Sequence, residues 1–191
     1  MACASCIRAR IRGRDLGDGP YDAAGVEPAS PLEQILFDAV PGMAPEAIKA
    51  WWPPDTPWLE RPNAMLAPSR AIAPFAHVEY KLMGGVLYNI RLTTMRAGDY
   101  VAFGELEQEM RAQLPSIVEW TDTLGRPFSL DAARPRLEGK GNERVMMAVP
   151  IGGDVPGVGV LSGKAVAFNR GGSQHYGFEL YWRQGGYPAQ T

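Results

Sequence analysis

The stretch HVEYKLMGGVLYNIRLT, residues 77–93, decides how the rest of the chain is read. Val78, Tyr80 and Leu82 alternate with His77, Glu79 and Lys81. After Gly84-Gly85, the residues Tyr88, Ile90 and Leu92 alternate with Asn89, Arg91 and Thr93. Apolar side chains at every second position mark a strand with one buried face. Two such runs around a glycine pair mark an antiparallel hairpin. A plain two-residue turn at Gly84-Gly85 sets Val78 against Arg91. A three-residue loop, Gly84 to Val86, instead pairs Leu82 with Tyr88, Tyr80 with Ile90 and Val78 with Leu92, and sets Glu79 opposite Arg91. The pattern therefore predicts the longer turn.

Downstream, the same grammar continues. Residues 104–114 are predicted to be a helix with Leu106, Met110 and Leu114 inward, Phe103 stapling its start and Pro115 after it. A strand is expected over Ser116–Thr121, then a turn over 123–127 and a charged Gly/Arg loop over 131–144. Three more strands are predicted at Arg144–Ile151, Val158–Asn169 and His175–Arg183. The last places Tyr176, Phe178, Leu180 and Trp182 on one face. Residues 75–191 thus read as a β-rich globular domain of the α+β class, predominantly antiparallel β, sandwich or barrel-like, with one main helix.

Upstream the composition changes. Eleven of the seventeen prolines and three of the five tryptophans lie in residues 1–74. One short helix is well signalled: Ser30 caps it, Pro31 suits its first turn, Glu33 completes a capping box, and Leu32, Ile35, Leu36 and Ala39 form its apolar stripe. A second is expected from Pro45 to Trp52. Helices this short need a surface to pack on. From Pro53 to Pro74 six prolines favour an extended, polyproline-like path carrying Trp51, Trp52, Trp58, Leu59, Met65 and Leu66 at and beyond its start. A solvated linker seldom carries such groups, and they are assigned to the surface of a neighbouring chain. Residues 7–12 alternate Ile7, Ala9 and Ile11 with Arg8, Arg10 and Arg12, a strand able to add to a sheet edge. Residues 13–29 are a glycine-rich linker. Residues 1–74 are therefore expected to be an extended Pro-rich N-terminal arm that binds partners through Ile7, Arg8, Arg10, Ile11, Arg12, Trp51, Trp52, Trp58, Leu59, Met65 and Leu66.

Net charge is −2, which directs the whole chain to neither nucleic acid nor membrane. Locally, residues 1–14 hold four arginines and no acid, and residues 15–60 hold nine acids and one lysine. No run of about 18 apolar residues suggests a membrane span, and the N-terminus lacks the apolar core of a secretory signal. Cys3 and Cys6 form a C-x-x-C without the second pair a zinc site needs. Gly152 to Lys164 departs from a phosphate-binding loop: Val158 stands where glycine is required and Ala165 where a hydroxyl is required. Ser173 and His175 lack a third group to orient the imidazole. His77 with Glu79 matches any half-exposed β face. Glu105, Glu107 and Glu109 suit a helix N-terminus. Arg134, Arg136 and Lys140 are interleaved with acids.

These readings predict no cofactor, no metal and no catalytic residue. They favour a non-enzymatic structural or assembly protein with protein subunits as partners. The natural home is a virion: a bacteriophage capsid-cementing, connector or tail component assembled in the host cytoplasm. Two alternatives are a small β-barrel enzyme or ligand binder wrapped by its own N-terminal segment, and a nucleic-acid accessory protein using Arg8 to Arg14.

Overall fold

The computed structural model describes residues 26–122, 124–138 and 147–184. Eight strands form one sheet: β1 (Trp58–Arg61), β2 (Met65–Pro68), β3 (His77–Met83), β4 (Val86–Ala97), β5 (Trp120–Thr121), β6 (Met147–Val155), β7 (Gly159–Arg170) and β8 (Ser173–Gln184). Their order is β1-β2-β3-β4-β8-β7-β6-β5, and every pairing is antiparallel. Among the described residues four helices accompany it: α1 (Pro31–Asp38), α2 (Pro45–Lys49), α3 (Tyr100–Ala112) and α4 (Leu130–Leu137). The mostly antiparallel β architecture is as expected. The sandwich or barrel is not: the described strands make a single sheet with helices against one face.

The β3–β4 hairpin reaches the expected register by another route. Val78 faces Leu92, Glu79 faces Arg91 and Tyr80 faces Ile90, but Leu82 faces Leu87 and Met83 faces Val86. The turn is the two-residue kind, with Gly84 at φ 61° and Gly85 at φ 83°, a conformation only glycine adopts freely at both positions. A bulge between Lys81 and Leu82 leaves Tyr88 as the extra residue. Tight turn plus bulge shift the pairing by one, as a three-residue loop does.

The core lies between the sheet and the helices. Val78, Tyr80, Leu92, Phe178, Leu180 and Trp182 point into it from the strands, and Leu32, Leu36, Ile48, Phe103, Leu106 and Met110 from the helices; all are at most 1% exposed. Phe103 stacks on Tyr176 at 4.9 Å, and its ring centre lies 5.0 Å from that of Phe178. At the C-terminal end of α1, Trp182 Nε1 donates to the Leu36 carbonyl at 2.9 Å, and Gln184 Nε2 to that of Phe37 at 2.7 Å. Both reach carbonyls of the last helical turn, where intrahelical partners run out; that of Leu36 also accepts from Ala39 N at 3.4 Å.

Four expectations are corrected. The polyproline path of residues 53–74 contains a hairpin: β1 pairs with β2, and β2 with β3 at Met65–Lys81 and Leu66–Tyr80. The prolines sit at strand ends and on the edge, where a missing N–H costs least. A boundary between residues 74 and 75 therefore falls inside one hydrogen-bonded sheet. The charged loop expected over 131–144 begins as α4, capped by Ser129 and burying Leu130, Ala133 and Leu137. Pro135 within it, beside two arginines, disguises that three-residue stripe. The strand expected over 116–121 shrinks to Trp120–Thr121, because Ser116 and Ile117 are held in a turn after α3. The helix expected from residue 104 starts at Tyr100, where Asp99 Oδ1 accepts from Ala102 N at 3.0 Å.

Candidate binding surfaces

Strand parity sends Phe178, Leu180 and Trp182 to the helices and their neighbours to the other face. No helix of the described residues packs on that second face. Across its middle runs a chain of ion pairs spanning four strands. Lys81 Nζ lies 2.9 Å from Glu79 Oε2. Arg91 bridges Glu79 at 3.2 Å and Glu179 at 2.9 Å. Lys164 Nζ closes it at 3.1 Å from Glu179. The geometry follows from register: Glu79 faces Arg91, Lys164 faces Glu179, and Arg91 reaches Glu179 diagonally because its direct partner is Tyr181. Tyr181 Oη donates to Glu179 Oε1 at 2.5 Å.

The carboxylates are only 18% and 16% exposed at their side chains. Burial alone pushes Glu79 up, but the Lys81 hydrogen bond and the charges of Lys81 and Arg91 outweigh it and hold the carboxyl below its ordinary value. Glu179 is likewise held down: burial opposes, and Tyr181, Lys164 and Arg91 prevail. Burial would lower Arg91, yet Glu179 and Glu79 raise it. All three groups therefore stay charged at neutral pH, and the ladder carries three cations and two anions. The sequence reading found Glu79 against Arg91. Glu179, Lys164 and Tyr181 were not identified, although they stand at outward-facing positions of strands already predicted.

The aromatic and apolar run assigned to a neighbour divides by the same parity. Trp52 Nε1 donates to Tyr80 Oη at 3.0 Å, Trp51 lies against the Tyr80 ring at 6.4 Å, and Trp58 meets Trp52 edge-on at 6.0 Å. Leu66 is buried opposite Tyr80. These four pack on the chain's own core, Leu66 buried and the three tryptophans half-buried. Met65 is 8% exposed on the second face, and Leu59 on edge strand β1 is 56% exposed. Ile7, Arg8, Arg10, Ile11 and Arg12, with Cys3 and Cys6, lie outside the described residues.

The residues weighed for chemistry are not brought together. The His175 ring stacks on Phe168 at 5.3 Å, and its Nδ1 is 2.9 Å from the backbone oxygen of Ser173. His77 is exposed at one end of β3, and Glu79 beside it is occupied by Lys81 and Arg91. Among the described residues no group of three His, Cys, Asp or Glu side chains is placed to hold a metal.

A second surface is an open groove of about 530 Å³ between α3 and the start of α4. Tyr100, Val101, Gly104, Glu105, Glu107 and Asp131 line it, with Phe128 and Leu130 on its floor. Tyr100 Oη donates to the Leu130 carbonyl and ties the two walls together. Arg134 lies over the Tyr100 ring at 4.7 Å and pairs with Glu138 at 2.8 Å. Burial and the carboxylate of Asp131 push the Tyr100 phenol up to about 12, so it remains a donor. Arg111 pairs with Glu107 at 2.7 Å and lies over the Trp120 ring. Glu105 and Asp131 have no cation within ion-pair distance among the described residues.

No helix of the described residues is long and apolar enough to cross a membrane. No protein-family model, curated protein or solved structure matches this chain.

Proposed function

We propose that this chain is a non-enzymatic assembly protein that engages neighbouring protein subunits. The observation supporting this is the one-sided sheet. Helices fill one face, while the other, with edge strand β1, presents a broad surface whose ladder charges are paired with one another rather than converging on a cleft. Paired charges on a wide face suit recognition of another protein, where they set register and exclude wrong partners. The basic alternating segment at Ile7–Arg12 supplies a second contact, through Arg8, Arg10 and Arg12. The virion is the setting we assign, on the architecture of a β-rich body preceded by a basic segment; this is an argument by analogy. The test is the mass of the purified full-length chain by light scattering across a concentration series, beside the chain lacking residues 1–25. Association that weakens on deletion supports the reading. A monomer at every concentration, which also fails to join any co-expressed subunit, overturns it.

A second reading draws on a specific observation. Residues 31–68 pack on their own core, as a ligand binder wrapped by its N-terminal half requires. It predicts a thermal shift with small ligands that Val101→Trp in the α3–α4 groove abolishes.

A further inference from the structure

We infer that the α3–α4 groove receives the basic segment Ile7–Arg14 of a neighbouring copy of this chain, an inference that rests on the assembly reading above. Three features of the groove carry it. First, its charge is unbalanced. Arg111 neutralises Glu107, while Glu105 and Asp131 make no ion pair among the described residues; the nearby Arg96 and Arg134 pair instead with Glu109 and Glu138. Second, it is open and carries apolar side chains beside its carboxylates. Val101 is 70% exposed, Phe128 and Leu130 form the floor, and a side chain added at Gly104 would meet nothing within 4 Å. Third, its walls are tied by the Tyr100 to Leu130 hydrogen bond, so the slot exists before anything enters it.

The segment has the complementary pattern. Arg8, Arg10, Arg12 and Arg14 repeat every second residue, and Ile7, Ala9 and Ile11 alternate with them. An extended chain with that alternation shows one basic and one apolar side, with like side chains about 7 Å apart. The basic side meets Glu105 and Asp131, and the apolar side meets Val101 and Leu130. Arginine forks carboxylates bidentately, which lysine does not.

The experiment is charge reversal with rescue, read by light scattering and by hydrogen exchange of the full-length chain. Glu105 and Asp131 are exposed, so E105K/D131K is expected to fold and melt as the parent does. It should weaken self-association about tenfold or more. Arg8→Glu with Arg10→Glu, Arg12→Glu and Arg14→Glu should weaken it similarly, and combining the two sets should restore it. Each reversed chain alone should associate poorly, and mixing the two should restore association between unlike chains, because each arm then meets a groove of opposite charge. Association unchanged by E105K/D131K but lost on deleting residues 1–25 overturns the groove and leaves the assembly reading standing. A chain that stays monomeric at all concentrations overturns both. A monomer whose groove is protected from exchange by its own segment overturns the neighbouring copy as occupant.

Discussion

Glu33 shows how a residue read for one purpose serves another. Ser30 and Glu33 announce a capping box, and Ser30 Oγ does accept from Glu33 N at 3.0 Å. The Glu33 carboxylate, 1% exposed, accepts from Ala29 N at 2.8 Å, Ser116 N at 2.7 Å and Ser116 Oγ at 3.0 Å. Ser30 Oγ in turn donates to the Gln113 carbonyl at 2.6 Å. A helix cap thus doubles as a clasp between the start of α1 and the end of α3. Glu33→Ala leaves buried donors unpaired and should cost about 3 kcal/mol in urea unfolding. Ser30→Ala should cost about 1 kcal/mol. Glycine 177 acts through what it lacks: an added Cβ would run into the Thr94 carbonyl on β4. Gly177→Ala should therefore lower stability by about 2 kcal/mol or more, read in the same unfolding assay. The capping pair was legible in four neighbouring residues, Ser30 to Glu33. Its partner 83 positions away was not, because nothing local to Ser116 records what lies against it.

At the scale of elements, parity was the most informative signal. It places Tyr176, Phe178, Leu180 and Trp182 inward, and it sets Glu79 against Arg91. The ion ladder built on that parity has a pH signature. Glu79 and Glu179 have folded pKa values below their ordinary 4.5. A carboxyl held down on folding contributes stability above its unfolded pKa and loses it as pH falls through the folded value. Urea midpoints should therefore decline as pH drops below about 4.5, and Glu79→Gln with Glu179→Gln should flatten that decline. At neutral pH each broken pair should cost below about 1 kcal/mol, since both partners remain partly hydrated. Parity failed where elements are short. Hairpin β1–β2 has four residues in each strand, and prolines near them outweighed the pattern. Helix α4 carries a stripe of three apolar residues behind Pro135, Arg134 and Arg136.

At the scale of the whole molecule, the largest revision concerns residues 31–68. Composition made them an arm; packing makes them part of the body. Leu32, Leu36, Ile48 and Leu66 share one core with Phe178 and Trp182. A chain starting at residue 75 should lose cooperative unfolding by circular dichroism, because it exposes that core and strips β2 from β3. A chain starting at residue 26 should keep the melting transition of the full chain within a few degrees. Leu36→Ala should cost about 3 kcal/mol, the figure for a buried leucine and far above that for a residue on a solvated arm.

Local sterics and alternation, readable residue by residue, determined that this chain builds antiparallel strands, which side chains face inward, where Ser30 starts a helix and that Val78, Glu79 and Tyr80 pair with Leu92, Arg91 and Ile90. They also exposed the contrast between the arginine-rich start and the acidic stretch after it. Only the tertiary structure decided that the proline-rich stretch joins the sheet, that Glu33 clasps Ser116, that Lys164 and Glu179 extend one ladder, and that α3 and α4 enclose an acidic groove. The physical reason is range. Strand and helix periods are set by neighbours a few residues apart. Whether a tryptophan is covered by its own chain or another depends on contacts whose closure is paid in chain entropy and returned only when the whole core forms.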